Sequence, residues 1–424
     1  MPADRDIDWR TFKNRTSITI ALVGPYSRMA NVTLDKSQVV GGLDKLNIVN
    51  FLDPGSFDFS WFWNQLGAEV GIAMINNDPS LLPFTTVNVK RFNNYCRVSQ
   101  SGCAAATALE IATNHPDVVA IFHNGMDNNV AIAAASVYGQ FKIPTCGCAE
   151  TAPALLDKRK YPYFIQTMPM TPMAGIFPLM LRSWNVKRVA FIAPRSILST
   201  NMCGAIITLL QDMGIEVASI ILYSKGGAID PVAQSLIQSQ VRYIVICANP
   251  NPTADVYFQL AKRKIAVGPE YVWMAVNTPS PNGNKTLKYG PDYLKQAQGM
   301  MIFNPEFGLT DYQINLTNQF KTQLVSSFGV SDSTLEDILY SSNALGGYDC
   351  PGVLAAGISK LLHSNPETVL KSGSLRDNMN WTLFKSSEFR GLTGDPVVLS
   401  SGGDLSLVMD GQYLDTEMNP HSEL

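Results

Sequence analysis

The stretch Val118 to Leu155, VVAIFHNGMDNNVAIAAASVYGQFKIPTCGCAETAPAL, constrains the fold more than any other part of the chain. A β-branched and aromatic run (Val118 to Phe122) breaks at a polar, Gly-containing elbow (His123 to Asn129), and an Ala-rich helical run follows to Tyr138. A second extended segment, Ile143 to Cys146, ends in the loop Gly147 to Thr151 ahead of Pro153. In a parallel α/β sheet both loops lie at the carboxyl ends of their strands, where open sheets bind ligands. The two loops are therefore expected to face one cleft.

The same alternation runs through the rest of the chain. SITIALVG (Ser17 to Gly24) reads as a buried strand ending at Pro25 and Tyr26, and a long polar, Gly-rich excursion follows to about Phe59. A helix begins near Trp61, with Leu66, Val70, Ala73 and Met74 on one face and Asp78-Pro79 at its end. A strand (Thr86 to Phe92), a loop holding Cys96 and Cys103, and a helix (Ala104 to Thr113) lead into the Val118 stretch. After a break at YPYFIQTMPMTP the pattern restarts, with strands at Arg188 to Ala193, Glu216 to Leu222, Tyr243 to Cys247 and Tyr271 to Val276 separated by helices. Asn277 to Gly299 is a Pro/Gly/Asn-rich connection leading to the strand GMMIFNP. Helical stretches follow at Asp311 to Phe328 and Tyr348 to Leu362, then a Gly-rich extended tail from Phe389. Repeated β-α alternation predicts an α/β fold of two doubly wound parallel-sheet lobes.

Composition narrows the function. With 424 residues, 46% apolar and 16% charged, the chain has the makings of a sizeable core. A net charge of -3 without a Lys/Arg cluster gives no footprint for nucleic acid or an anionic membrane. No apolar run is long enough for a membrane helix, and the polar start MPADRDIDWRTFKNRT is not a signal peptide. The alternatives are a cytosolic protein and a trimmed extracellular segment. Of seven cysteines, Cys96 and Cys103 share a short loop suited to a local disulfide, with free buried thiols as the other reading. Five N-x-T sequons (Asn14, Asn31, Asn284, Asn315, Asn380) are close to the number chance supplies.

The order of several markers resembles the type 1 periplasmic-binding-protein fold, in the branch of receptor ligand-binding regions that includes class C receptor and receptor cyclase ectodomains. These markers are IALVGP, LGAEVGIAMIN, IPTCGCAETAPALLDKRKYPYFIQTMP, WNVKRVAFI, YVWMA, YDCPGVLAAGI and FRGLTGDPVVLSSGGD. Together they cover nearly the whole chain. The resemblance implies two lobes joined by three crossovers, with a hinge that closes on a ligand. It would divide the chain into 1–167 (first lobe), 168–297 (second lobe), 298–404 (first lobe again) and 405–424 (a return to the second lobe). It also implies an extracellular or cell-surface sensor that pairs with a like or unlike chain through its first lobe. Any membrane attachment would run through segments outside this chain. A free solute-binding protein is the alternative, and an enzyme on an α/β scaffold a more distant one.

In amino-acid-binding members of such a family, hydroxyls and backbone N–H groups of the two first-lobe loops hold the ligand carboxylate, and an acidic residue in the second lobe helps hold the amine. Carried over, the ligand-binding candidates are Tyr26, Trp61, Gly125, Met126, Asp127, Asn128, Ala149, Glu150, Thr151, Leu198 and Asn277. Thr151 keeps a hydroxyl, whereas Ala149 stands where relatives often have serine, Leu198 where many have an aromatic, and Asn277 near the usual acid. Asp127 and Glu150 bring two carboxylates to the expected anion site, which turns the expectation toward a cationic, amine or polyhydroxyl ligand. Each has a second reading: a helix N-cap for Asp127 and a surface salt bridge for Glu150. Trp61 and Trp63 are read either as stacking platforms or as core.

Catalysis finds little footing. Four scattered histidines lack metal-ligand spacing, and there is no Gly-x-Ser-x-Gly elbow or phosphate loop. His123 at a strand end reads as an acid or base, or as a structural residue. No cofactor is expected.

Overall fold

Apolar runs that sequence periodicity marks as buried strands form two separate sheets. The computed structural model describes residues 16–26, 59–78, 80–82, 85–94, 96, 99–125, 128–150, 152–194, 197–224, 227–248, 250–276, 292–305, 310–328, 342–364, 375–385, 387–407, 409–415 and 420–421. The long excursion after Tyr26 and the Pro/Gly/Asn-rich connection after Val276 lie outside these residues.

The first sheet holds β1 (Thr16–Gly24), β2 (Thr85–Asn93), β3 (Val118–His123), β4 (Thr145–Gly147) and β5 (Phe164–Gln166) in the order β2-β1-β3-β4-β5. Every pairing in it is parallel. Helices α1 (Phe59–Asn77), α2 (Gln100–Asn114) and α3 (Asn128–Gln140) connect the strands. All six residues of β3 are buried, as a central strand covered on both faces requires. Ala21 and Val23 of β1 pack with Ala104, Ala108 and Ile111 of α2 and Val130, Ala134 and Tyr138 of α3 to form one core.

The second sheet repeats the winding. It contains β6 (Arg188–Pro194), β7 (Glu216–Tyr223), β8 (Tyr243–Ile246), β9 (Val272–Ala275) and β10 (Met301–Pro305), with α4 (Met170–Ser183), α5 (Ile197–Asp212), α6 (Asp230–Ser239), α7 (Pro250–Lys262) and the short α8 (Tyr293–Gln296) between strands. Its order is β7-β6-β8-β9-β10, extended beyond β10 by two antiparallel strands, β11 (Met409–Leu414) and β12 (Pro420–His421). The pattern that places strand 1 between strands 2 and 3 therefore occurs twice. In each sheet the crevice for a ligand falls at the carboxyl ends of the strands, where the winding reverses.

The chain divides into two compact units, Met1–Pro169 with Phe307–Ser406 and Met170–Glu306 with Leu407–Leu424, and so passes between units three times. Strand β10 belongs to the second sheet. The second passage consequently follows Pro305 instead of falling near Gln298.

Helices α9 (Asp311–Phe328) and α10 (Ser342–Ser364) belong to the first unit, as does the short α11 (Thr382–Lys385). The sequence reading starts α10 at Tyr348, but the helix begins at Ser342 and runs through Gly346-Gly347. These glycines serve packing. A Cβ on Gly347 would lie 2.4 Å from the Asn64 carbonyl of α1, and one on Gly67 would lie 2.2 Å from the Ala344 carbonyl of α10. The two helices approach at backbone distance, which no residue with a side chain allows at those positions.

Three disulfides fix the chain. Cys96–Cys103 closes the loop ahead of α2, Cys203–Cys247 ties α5 to the end of β8, and Cys146–Cys350 joins β4 to α10. Only Cys148 is a free thiol among the described residues. No helix of the described residues is long and apolar enough to cross a membrane.

Candidate functional site

At the carboxyl edge of the first sheet, a row of polar side chains is enclosed by protein. The edge is built by registration: Val23 pairs with His123, and His123 pairs with Gly147, so the ends of β1, β3 and β4 lie side by side. The Asn124 amide donates to the Val23 carbonyl at 2.8 Å and the Asn94 amide to the Gly24 carbonyl at 3.0 Å. Those bonds aim the loops that leave the strands.

Glu150 dominates the geometry. It is 2% exposed, and its carboxylate turns back on the two loops instead of out to solvent. Oε1 accepts from the Gly125 amide at 3.1 Å and lies 3.0 Å from Nδ1 of His123, while Oε2 accepts from the Ala149 amide at 3.1 Å. His123 is itself 0% exposed, and its Nε2 has no hydrogen-bond partner among the described residues. Gly147 makes the arrangement possible: a Cβ there would lie 2.1 Å from Oε2 of Glu150. Glu150 is thus not a surface salt bridge, which corrects one of its two sequence readings; its carboxylate stands among the loop amides instead.

A buried ion pair lies in the same unit. Glu69 of α1 and Arg91 of β2 form a two-pronged pair, with Nε to Oε1 at 2.6 Å and an Nη to Oε2 at 2.7 Å. Gln65 adds an Nε2 donor to Oε1 at 3.3 Å. Tyr26 is buried, and its hydroxyl donates to the Leu22 carbonyl at 3.3 Å. Burial pushes the Tyr26 phenol well up, reinforced by the Glu69 charge and opposed by Arg91. Tyr26 thus lies among the buried residues at the end of β1.

The Asn64 Nδ2 donates to Asn124 Oδ1 at 3.2 Å, while Asn64 Oδ1, Gln65 Oε1 and both amide atoms of Asn94 and of Gln166 are buried without partners among the described residues. A polar edge of this kind suits a ligand rich in hydrogen-bonding groups, since buried amides need partners.

Of the other sequence candidates, Gly125, Asn128, Ala149 and Glu150 gather at this edge, with Asn128 buried at the start of α3. Met126, Asp127, Thr151 and Asn277 lie outside the described residues. Trp61 falls on α1 and Leu198 on α5, and the structure describes neither side chain. Trp63 is buried and belongs to the core.

Burial, with the Glu150 charge beside it, pushes the Cys148 thiol well up, which suppresses the thiolate that a nucleophile needs. Among the described residues no cluster of His, Cys, Asp and Glu could hold a metal ion.

Sequence reasoning missed Cys146–Cys350, Cys203–Cys247 and the Glu69–Arg91 pair. The bridges span 204 and 44 residues, and no local spacing signals them. Glu69 and Arg91 lie on different elements, each looking like an ordinary surface charge in the sequence.

Comparison with known proteins gives this architecture a family. The profile described as "Receptor family ligand binding region" matches residues 65–410, and the chain belongs to that family. It is 26% identical over 319 residues to metabotropic glutamate receptor 4 of Macaca fascicularis, covering 65% of this chain and 34% of the receptor. It is 25% identical over 209 residues to human gamma-aminobutyric acid type B receptor subunit 2, covering 49% of this chain and 21% of that one. The matches therefore span about a third or less of the curated relatives.

The fold is the type 1 periplasmic binding fold. An ABC transporter substrate-binding protein from Desulfitobacterium hafniense superposes with a TM-score of 0.63 at 16% identity, covering 96% of this chain and 99% of that one. A putative branched-chain amino acid ABC transporter protein from Rhodospirillum rubrum gives 0.62 at 14% identity, covering 96% and 100%.

Proposed function

We propose that the chain is the extracellular ligand-binding region of a membrane receptor, taking a small molecule at the carboxyl edges of its sheets and signalling through hinge closure. The observation that carries this reading is the match of residues 65–410 to receptor ligand-binding regions. Three disulfides support an oxidising, extracellular address. Exposed Asn315 and Asn380 in two of the sequons are open to glycosylation at such an address. Pairing with a like or unlike chain through the first unit is part of the same reading.

The ligand is an amine or polyhydroxyl compound in preference to a bare carboxylate, because Glu150 already fills the loop amides that a ligand carboxylate would use. Binding without turnover fits a site whose one free cysteine is a buried thiol. A free solute-binding protein of a transport system is the second reading, favoured by the likeness of fold to ABC transporter substrate-binding proteins.

Surface labelling of intact cells that express the full natural product, with native mass spectrometry of the secreted chain, tests the proposal. Expected are surface exposure, a retained small molecule that is recovered unchanged, and one free thiol on denatured, unreduced protein. An intracellular product with seven free thiols overturns it.

A further inference from the structure

We infer that Glu150 is a specificity-determining residue: a built-in carboxylate that occupies the anion cradle of the first unit and thereby shuts out carboxylate ligands. The inference rests on the ligand-binding reading above and deepens it by stating what the site rejects.

Two amides from two different loops converge on one carboxylate. Gly125 follows β3, Ala149 follows β4, and both donate to Glu150 at 3.1 Å, with His123 Nδ1 3.0 Å from Oε1. A site where amides of two loops converge is a receptacle for an anion, whether the anion arrives in solution or is attached to the chain. Here it is attached, and the Glu150 side chain is 1% exposed.

A tethered group competes with free ligands at an effective concentration in the millimolar range or above. A carboxylate from solution would have to expel Glu150 from its donors and leave its charge in an enclosed setting without them, which is costly. The backbone on either side is shaped around this occupant. A Cβ on Gly147 would fall 2.1 Å from Oε2, and one on Gly125 would fall 2.7 Å from Oε1. The buried His123 ring, with Nδ1 3.0 Å from Oε1, closes the same side.

Removing the side chain turns the internal anion site into one that solution can fill. The test compares the wild-type chain with Glu150→Ala by thermal shift and calorimetry, using acetate, glycine and L-leucine against acetamide and ethylamine at constant ionic strength and pH 7. The variant is expected to melt lower and to regain stability with acetate saturably, at least tenfold more tightly than any effect of acetate on the wild type. Acetamide and ethylamine should leave it unchanged.

Should Glu150→Ala fail to fold, Glu150→Gln with amide hydrogen exchange serves in its place. Faster exchange at Gly125 and Ala149, slowed again by acetate, supports the inference. Unchanged protection at both amides overturns it, as does wild-type binding of acetate, glycine or leucine that is tighter than the variant's. None of these readouts needs the natural ligand, so a failure of the receptor reading would appear separately, as a wild-type chain that retains no small molecule.

Discussion

Cys146, within the three-residue strand β4, is bonded to Cys350 in the middle of α10, 204 residues later in the chain. The bridge joins the two sequence segments that together make the first unit. It also anchors the strand whose end carries Ala149 and Glu150.

Loop-closure entropy grows with the length of chain enclosed, so this bridge should matter most of the three. Replacing Cys146 and Cys350 together by serine is expected to cost about 2–5 kcal/mol. Replacing Cys96 and Cys103, which are 7 residues apart, should cost markedly less. Chemical unfolding monitored by near-UV circular dichroism gives both values, and equal losses would contradict the argument.

The Glu69–Arg91 pair makes a different kind of prediction. Both side chains are nearly closed off from solvent, at 5% and 8% exposure. Glu69→Gln removes the carboxylate from a buried guanidinium and is expected to cost about 3–5 kcal/mol. The double change Glu69→Leu with Arg91→Met removes both charges and should cost less than Glu69→Gln alone. Urea midpoints for the three proteins decide the order.

The alternation of apolar runs and helical periodicity made the two sheets readable in advance, because β3, β6 and β8 are central strands whose burial on both faces is written directly as hydrophobic runs. The loops at the ends of β3 and β4 were readable for the same reason. The direction in which Glu150 points was not, since a carboxylate after a strand has the same local pattern whether it faces solvent or its own loop amides. Two signals were present: Gly125 and Gly147 leave space on either side, and His123 ends the neighbouring strand. The start of α10, expected at Tyr348 and found at Ser342, was not readable for a related reason. A glycine pair looks like a helix break unless the facing helix, with its own Gly67, is considered at the same time.

That helix contact is testable by contrast. Gly67→Ala would bring a Cβ to 2.2 Å from a backbone carbonyl of α10, so the helices must part. A loss of about 1–3 kcal/mol is expected. Gly139 of α3 also sits in a helix, but a Cβ there meets nothing within 4 Å. Gly139→Ala should therefore gain up to ~1 kcal/mol from helix propensity. Thermal unfolding of the two variants should move in opposite directions.

Asp349 gives the pH dependence. It is buried on α10, where it accepts from the Leu392 amide at 2.8 Å, the Thr393 amide at 2.7 Å and the Thr393 hydroxyl at 2.5 Å. Burial raises its carboxyl to about 6, against the opposing effect of those three donors. An acid raised on folding binds its proton more tightly in the native state than in the unfolded chain, so the native state gains relative stability when the group is neutral. That contribution is complete below the unfolded value of 3.8 and is lost as pH rises through about 6. The loss amounts to roughly 3 kcal/mol across that window. Asp349→Asn carries no titrating proton and should abolish this descent, at the cost of an imperfect fit to the Thr393 donors. Unfolding midpoints of the two proteins measured at half-unit steps from pH 4 to 7 isolate the effect, because every other titrating group is common to both. If the wild-type minus variant difference stays flat across the window, Asp349 has the same affinity for its proton in both states, and the three donors balance the burial in full.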